Sequence, residues 1–251
     1  MHPEVAYPTY DVGARLAGAT PLAADALPAA GPARVRLVWL NSPANPTGRV
    51  LPVGHLREVV AWARERGAVV ASDECYAELG WSTEPVSLLH PDVCDGDVEG
   101  LLCVYSLSKR SSVAGYRAGF VAGDPALVRR LLEVRKHAGM IVPAPVQAAV
   151  VAALGDDAHV TEVRERYAAR RAALLPALLG AGFRVDDSAA GLYLWATRGE
   201  PCWDTVSALA DRGVLVAPGA FYGPAGEQHV RVALTATDER VAAAVERLRA
   251  S

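Results

Sequence analysis

Residues 104–121 read Val104-Tyr105-Ser106-Leu107-Ser108-Lys109-Arg110-Ser111-Ser112-Val113-Ala114-Gly115-Tyr116-Arg117-Ala118-Gly119-Phe120-Val121. The chain carries 25 lysines plus arginines, yet lysine stands only at 109 and 136. A chain that uses arginine for positive charge keeps a lysine here. An ammonium can lose its proton and attack a carbonyl, which a guanidinium in a protein does not do. Lys109 therefore reads as a Schiff-base lysine. Ser106 and Ser108 offer hydroxyl donors beside it, and Arg117 offers a planar fork matched to phosphate, a set suited to a phosphorylated aldehyde cofactor. Gly115 and Gly119 let the backbone pass close to the site. The competing reading is a surface lysine in a polar loop; the apolar run 101–104 and the flanking serines and arginine weigh against it.

Upstream, residues 35–40 form a short apolar strand that runs into Asn41-Ser42-Pro43-Ala44-Asn45-Pro46-Thr47-Gly48, too rich in turn residues for regular structure. Residues 52–67 follow as a helix, with proline in the first turn, Leu56, Val59, Val60 and Ala63 on one face, and a glycine stop. Residues 68–71 are a buried strand that delivers Ser72-Asp73-Glu74-Cys75-Tyr76. Strand, helix, strand in this order implies a parallel sheet, and α/β sheets place their sites at the carboxyl ends of such strands. Residues 101–106 are the next strand, and 118–122 one more.

Ser-Leu-Ser-Lys followed by Gly-Tyr-Arg-Ala-Gly-Phe resembles the cofactor-lysine motif of the class I/II aminotransferases, the fold-type I enzymes that use pyridoxal 5′-phosphate (PLP). The run 41–48 is similar to that family's Asn-Pro-x-Asn-Pro-Thr-Gly loop, and Asp73-x-x-Tyr76 stands between the two. The resemblance implies an α/β fold with a large, mostly parallel-sheet cofactor domain at 1–155. A bridging helix and a small C-terminal α/β domain follow at 156–251. It implies that Lys109 holds the cofactor and that Asp73 keeps the pyridine nitrogen protonated, so that the ring takes up electrons released at the substrate α-carbon. Asn45 and Tyr76 would hold the phenolic oxygen, Asn45 also helping to seat the substrate carboxylate, and Ser106, Ser108 and Arg117 would hold the phosphate. Tyr7 falls where the family stacks an aromatic ring on the cofactor; from the residues alone, a core tyrosine is an equal reading.

From residue 125 the pattern turns helical. Leu127, Val128, Leu131, Leu132 and Val134 read as one apolar face, residues 143–154 as a second, more apolar helix, and 156–181 as a long charged one. Strands are expected at 183–185, 191–196, 214–216 and 230–234, with helices at 203–212 and 238–249. Arg231 stands in an otherwise apolar strand, where an unpaired charge is expensive to bury. Its partner is either internal, from Asp238 or Glu239, or a substrate carboxylate; the family resemblance favours the second. Residues 79–100 read as an irregular connection with His90 at the surface, residues 23–34 as a loop, and Glu74 as structural or a salt-bridge partner.

The whole-chain resemblance is greatest to actinobacterial succinyldiaminopimelate aminotransferases, which implies amino transfer between glutamate and N-succinyl-2-amino-6-ketopimelate in lysine biosynthesis through diaminopimelate. A long dicarboxylate needs a second cation, for which Arg110 is no more than a guess. A related aspartate-type aminotransferase or a carbon–sulfur lyase would share every cofactor residue, and a non-catalytic aminotransferase-like module would share the fold. The family's phosphate-cupping loop upstream of the aromatic residue has no counterpart before Tyr7, so a chain lacking its N-terminal portion is expected, with apolar surface left open. The resemblance further implies a homodimer for the longer polypeptide.

The 251 residues are 51% apolar and 21% charged, with a formal charge of -3. That is an ordinary globular composition with no basic excess to attract nucleic acid or an anionic membrane. No apolar run approaches the ~20 residues of a membrane span, and the start lacks the features of a secretion signal, so a cytoplasmic protein is expected. The four cysteines, at 75, 94, 103 and 202, have no metal-knuckle spacing and read as reduced structural thiols.

Overall fold

The structure, a computed structural model, describes residues 1–27, 31 and 34–249. Residues 28–30 and 32–33 of the expected 23–34 loop lie outside the described residues. Two four-stranded sheets carry the fold. In the first, β1 (Leu37–Asn41), β2 (Val69–Asp73) and β3 (Leu101–Ser106) run parallel in chain order, and β4 (Gly119–Gly123) returns antiparallel on β3. The crossover from β1 to β2 is helix α2 (Val53–Arg66), which starts after Pro52 and stops at Gly67, left-handed at φ 59°. Its buried stripe of Leu56, Val59, Val60 and Ala63 packs with Val38, Val70 and Leu101 of the sheet.

The second sheet has the order β5-β6-β8-β7, with β5 (Arg184–Asp186), β6 (Tyr193–Thr197), β7 (Ala217–Pro218) and β8 (Val230–Ala233) all antiparallel. Every residue of β6 is buried, and Leu194 is the kind of side chain whose truncation to alanine costs about 2–5 kcal/mol. It packs in a core that also draws Leu178 from helix α7 (Ala158–Gly180), Leu209 from α8 (Cys202–Ala210) and Leu248 from α9 (Asp238–Arg249).

The two halves are stitched by backbone bonds. Ser188 and Ala190 donate to Thr47 and Gly48, and Trp81 and Gly191 complete the seam with Ala189 and Leu79. Gly48 has φ +70°, and a Cβ there would lie 2.5 Å from the Ala190 carbonyl, so the last residue of the Asn-Pro-Thr-Gly run has to be glycine.

Several elements depart from expectation. Residues 214–216 are not a strand: the Val214 amide donates back to Leu209 at the end of α8, Leu215 is exposed, and pairing with β8 starts only at Ala217. The 79–100 connection contains one helical turn, α3 (Pro91–Cys94), and His90 caps it by accepting the Asp92 amide at 3.2 Å. Of the two readings for Glu74 the structural one fits: it is buried, accepts the Leu88 amide at 2.8 Å and has no salt bridge among the described residues. On α5 (Pro125–His137) the apolar face is packed only at its start; Leu131, Leu132 and Val134 are exposed, and α6 (Ala144–Leu154) buries no residue. Among the described residues no helix is long and apolar enough to cross a membrane.

Candidate active site

The carboxyl ends of β1, β2 and β3 meet in one place. Asn41 ends β1 opposite Asp73, which ends β2, and Asp73 in turn lies opposite Val104 of β3. Asn41 is buried and acts as a clasp: its amide donates to the carbonyls of Pro43 and Asp73, and its oxygen accepts the Asn45 amide at 2.8 Å. This fixes Asn45 beside Asp73 before any side chain of Asn45 is considered.

Beyond β3, Ser106 caps the single turn α4 (Leu107–Arg110), which carries Lys109. The Ser106 hydroxyl accepts the Ser108 amide and donates to the Ser108 hydroxyl at 2.7 Å or the Ala118 carbonyl at 3.0 Å. Arg117 takes the left-handed conformation, φ 57°, and its guanidinium donates to the Ala114 carbonyl. The approach of β4 depends on Gly119, where a Cβ would sit 2.7 Å from the Tyr105 carbonyl; Gly115 faces open space, so the expected close passage rests on Gly119 alone.

A cavity of about 250 Å³ lies over these ends and is lined by Tyr7, Asn45, Asp73, Tyr76, Ser106, Ser108, Lys109, Arg117 and Arg231. All nine residues singled out from the sequence thus come together. Seven stand in the first half of the fold between residues 45 and 117; Arg231 comes from β8 and Tyr7 from just before α1 (Thr9–Leu16).

The polar groups of the cavity are unevenly satisfied. Among the described residues the Lys109 ammonium has no hydrogen-bond or ion-pair partner, whereas Lys136 on α5 is paired with Glu133 at 2.6 Å. Asp73 accepts the Tyr10 hydroxyl at 2.8 Å and the Cys75 amide at 3.1 Å. Burial, reinforced by Asp73, pushes the Tyr10 and Cys75 groups well above their ordinary ranges, so both stay neutral beside the carboxylate. Burial likewise pushes the Tyr76 phenol far up.

Arg231 has no internal carboxylate among the described residues. Its guanidinium donates to the Asn45 side chain at 2.9 Å and lies 3.9 Å over the Tyr193 ring and 5.1 Å from that of Tyr222, while its Nε is buried without a partner. Asp238, one of the internal partners considered for it, is taken by Arg170 at 2.6 Å. A free amine, a fixed carboxylate, two hydroxyls beside an arginine, and an orphaned buried guanidinium nitrogen make a donor set that fits PLP and a substrate carboxylate.

Arg110 does not belong to this set. It is buried away from the cavity, donating to Asp157 at 2.6 Å and to the Ala153 carbonyl at 2.7 Å, so it is not available to a far carboxylate. Conversely, Tyr10, Asn41 and Tyr193 are at the site without having been marked by the sequence. Tyr10 is stacked on Trp39 at 5.0 Å, and only its place three residues after Tyr7 hints at it.

A mixed α/β chain in which a lysine following an inner strand shares a cavity with a strand-end carboxylate has the arrangement of the fold-type I PLP-dependent proteins. Residues 2–248 match the family described as aminotransferase class I and II, and the chain belongs to it. It is 73% identical to a probable aminotransferase of Mycobacterium tuberculosis over 98% of this chain and 59% of that protein. It is 66% identical to the 4-dedimethylamino-4-oxo-anhydrotetracycline transaminase of Streptomyces rimosus, over 98% of this chain and 68% of that one. The structure of a probable N-succinyldiaminopimelate aminotransferase from Thermus thermophilus superposes with a TM-score of 0.89 at 31% identity, covering 99% of this chain and 70% of that chain. The chain therefore spans 59% of the length of the Mycobacterium relative.

Proposed function

We propose that this polypeptide carries the PLP site of an aminotransferase that moves an amino group between an amino acid and a 2-oxo acid. The observation that carries the reading is the convergence of the nine residues on one cavity, with the Lys109 amine unengaged at its side. Bound there, PLP supplies a protonated heteroaromatic ring that takes up the electrons left when an amino acid loses its α-proton.

The chain's own groups do the rest. Lys109 would anchor the cofactor through its aldehyde carbon and, once displaced by substrate, carry the proton away from the substrate α-carbon as general base. Asp73, already fixed by Tyr10 and the Cys75 amide, holds the proton on the ring nitrogen. Asn45 and Tyr76 would hold the phenolic oxygen, Ser106, Ser108 and Arg117 would hold the phosphate, and Tyr7 would stack on the ring. Arg231 takes the substrate α-carboxylate in a two-point bond, relieving its buried unpartnered Nε.

For the substrate pair we propose glutamate as donor and N-succinyl-2-amino-6-ketopimelate as acceptor, a reading supported by the likeness to the Thermus protein and placing the activity in lysine biosynthesis in the cytoplasm. The 66% identity to the tetracycline transaminase favours a second acceptor, a 4-oxo-anhydrotetracycline. The domain division at residue 155 and a homodimer of the longer polypeptide are part of the same proposal. The test is a glutamate-dependent amination assay on both acceptors and on oxaloacetate, with pyruvate release from a cysteine-type substrate as the lyase control. It runs beside absorbance spectra of the PLP-treated protein and Lys109→Ala. A near-visible band in wild type that is lost in the variant is expected; its absence from wild type overturns the site reading. Turnover of the tetracycline or oxaloacetate alone overturns the succinylated acceptor.

A further inference from the structure

Tyr193 lines the cavity from β6 and has no role in the reading above. Two of its contacts run in different directions. Its ring face carries the Arg231 guanidinium at 3.9 Å, and its hydroxyl lies 3.3 Å from that of Tyr76, the two rings meeting edge to face at 5.9 Å. Both tyrosines are buried, at 8% and 6% exposure, and both line the cavity. Tyr193 is paired with Ala233 of β8, while β5 joins β6 only from Trp195 onward, so the ring is placed by β8, the strand that also carries Arg231.

A phenol pair admits two donor senses. If Tyr76 is to donate to a ligand oxygen, its single proton is committed, and its oxygen must accept from Tyr193. A hydroxyl that accepts one hydrogen bond donates the next more strongly, and a cation over the ring of the first phenol polarises that phenol's proton further. We propose that Tyr193 is a positioning residue that couples the carboxylate-binding Arg231 to Tyr76, its ring face carrying the guanidinium and its hydroxyl donating to the Tyr76 oxygen. The inference rests on the roles given to Tyr76 and Arg231 under the proposed function. When a carboxylate neutralises Arg231, the field over Tyr193 falls and Tyr76 donates less strongly, so filling the carboxylate site is felt at the ligand's phenolic oxygen.

The charged and titratable groups facing this pair are Asp73 at the end of β2 and Cys75 just beyond it, Lys109 and Tyr7 across the cavity, Arg231 from β8, Tyr222 beside Arg231, and Tyr167 from α7. None of them donates to the Tyr76 oxygen in place of Tyr193.

The test reads the pH midpoint of the Lys109-dependent absorbance band in the PLP-loaded protein. Donation by Tyr76 to an anionic ring oxygen lowers the basicity of the nitrogen sharing its proton, so weaker donation raises the midpoint. Tyr193→Phe keeps the ring under Arg231 and removes only the hydroxyl; the midpoint is expected to rise by roughly half a unit, about threefold in the proton-binding constant. Tyr76→Phe should raise it more, and the double variant should match Tyr76→Phe alone. Incorporating 3-fluorotyrosine, a more acidic phenol of nearly the same shape, at 193 should move the midpoint down, which a packing role cannot do and which serves if the phenylalanine variant misfolds. A wild-type midpoint in both position-193 proteins, with Tyr76→Phe shifted, overturns the coupling while leaving the site reading intact. An unshifted Tyr76→Phe, or no lysine-dependent band, overturns both.

Discussion

Arg231 shows why the identity of a charged group matters more than its charge. Its guanidinium already spends one donor on Asn45, and what is left to a substrate is a fork including the unpartnered Nε. Arg231→Lys keeps the cation and loses the fork, so KM for the amino acid should rise about tenfold with kcat little changed; Arg231→Ala should cost about 2–5 kcal/mol in kcat/KM. Steady-state kinetics with a series of amino acids checks both. The tyrosines make a second prediction. Burial holds the Tyr10 and Tyr76 phenols protonated far above their ordinary range, while in the unfolded chain they ionise near pH 10. Above that pH the unfolded state binds fewer protons than the folded one, so stability falls as pH rises. An ultraviolet titration should show these two phenolates appearing only with unfolding. Lys109, Asp73 and Asn45 are legible in the sequence because each stands where an apolar strand breaks into turn residues. Tyr10 and Tyr193 are not, because a tyrosine in an apolar run looks the same whether its hydroxyl meets a carboxylate or water. Arg110 misleads for the opposite reason: it neighbours Lys109 in sequence, but its side chain turns to Asp157.

At the level of strands and helices, periodicity and punctuation locate most elements. α2 has its proline and glycine ends, and β3 and α9 fall on the expected residues. The error at 214–216 arises because a run of branched apolar residues satisfies a strand pattern, while the bond from Val214 to Leu209 that holds the run as a helix exit is invisible in composition. The β3–β4 pair yields a sharp test. Gly119→Ala would bring a methyl to 2.7 Å from the Tyr105 carbonyl, so the strands must part; a loss of about 1–3 kcal/mol is expected by chemical denaturation, with weaker PLP binding because Ser106 lies across that pair. In the second sheet, Asp186 at the end of β5 is held down to about 2 by the Arg184 guanidinium and then by His229 at 2.9 Å. A depressed carboxylate contributes stability that is complete above its unfolded value near 4 and lost as pH falls towards 2. Asp186→Asn should therefore flatten the acid limb of a stability–pH profile between about pH 4 and 2 and leave pH 7 activity assays on the same protein interpretable as a packing control.

Taken as a whole, the described residues form two large apolar cores, a small cluster of Tyr76, Leu79, Leu192 and Tyr193, and an open flank. α5 and α6 bury no residue, and Leu132, Val134, Ile141 and Val151 are 58%, 65%, 63% and 73% exposed. Apolar surface of this extent attracts apolar ligands and other copies of a chain. The 251-residue protein should enhance the fluorescence of an anionic naphthalene dye in its native state, and Leu132→Glu with Val151→Glu should reduce that signal without lowering the unfolding midpoint. The open flank follows from side chains whose expected amphipathic stripe has nothing packed over it, which a helical pattern alone does not reveal. The bond from Arg231 to Asn45 has a different consequence, one of timing. The two residues stand 186 positions apart in the chain, one just after β1 and the other in β8. Until β8 has joined its sheet, the lysine and the carboxylate share their cavity without the guanidinium, so the cradle is complete only once residues from both sheets have met.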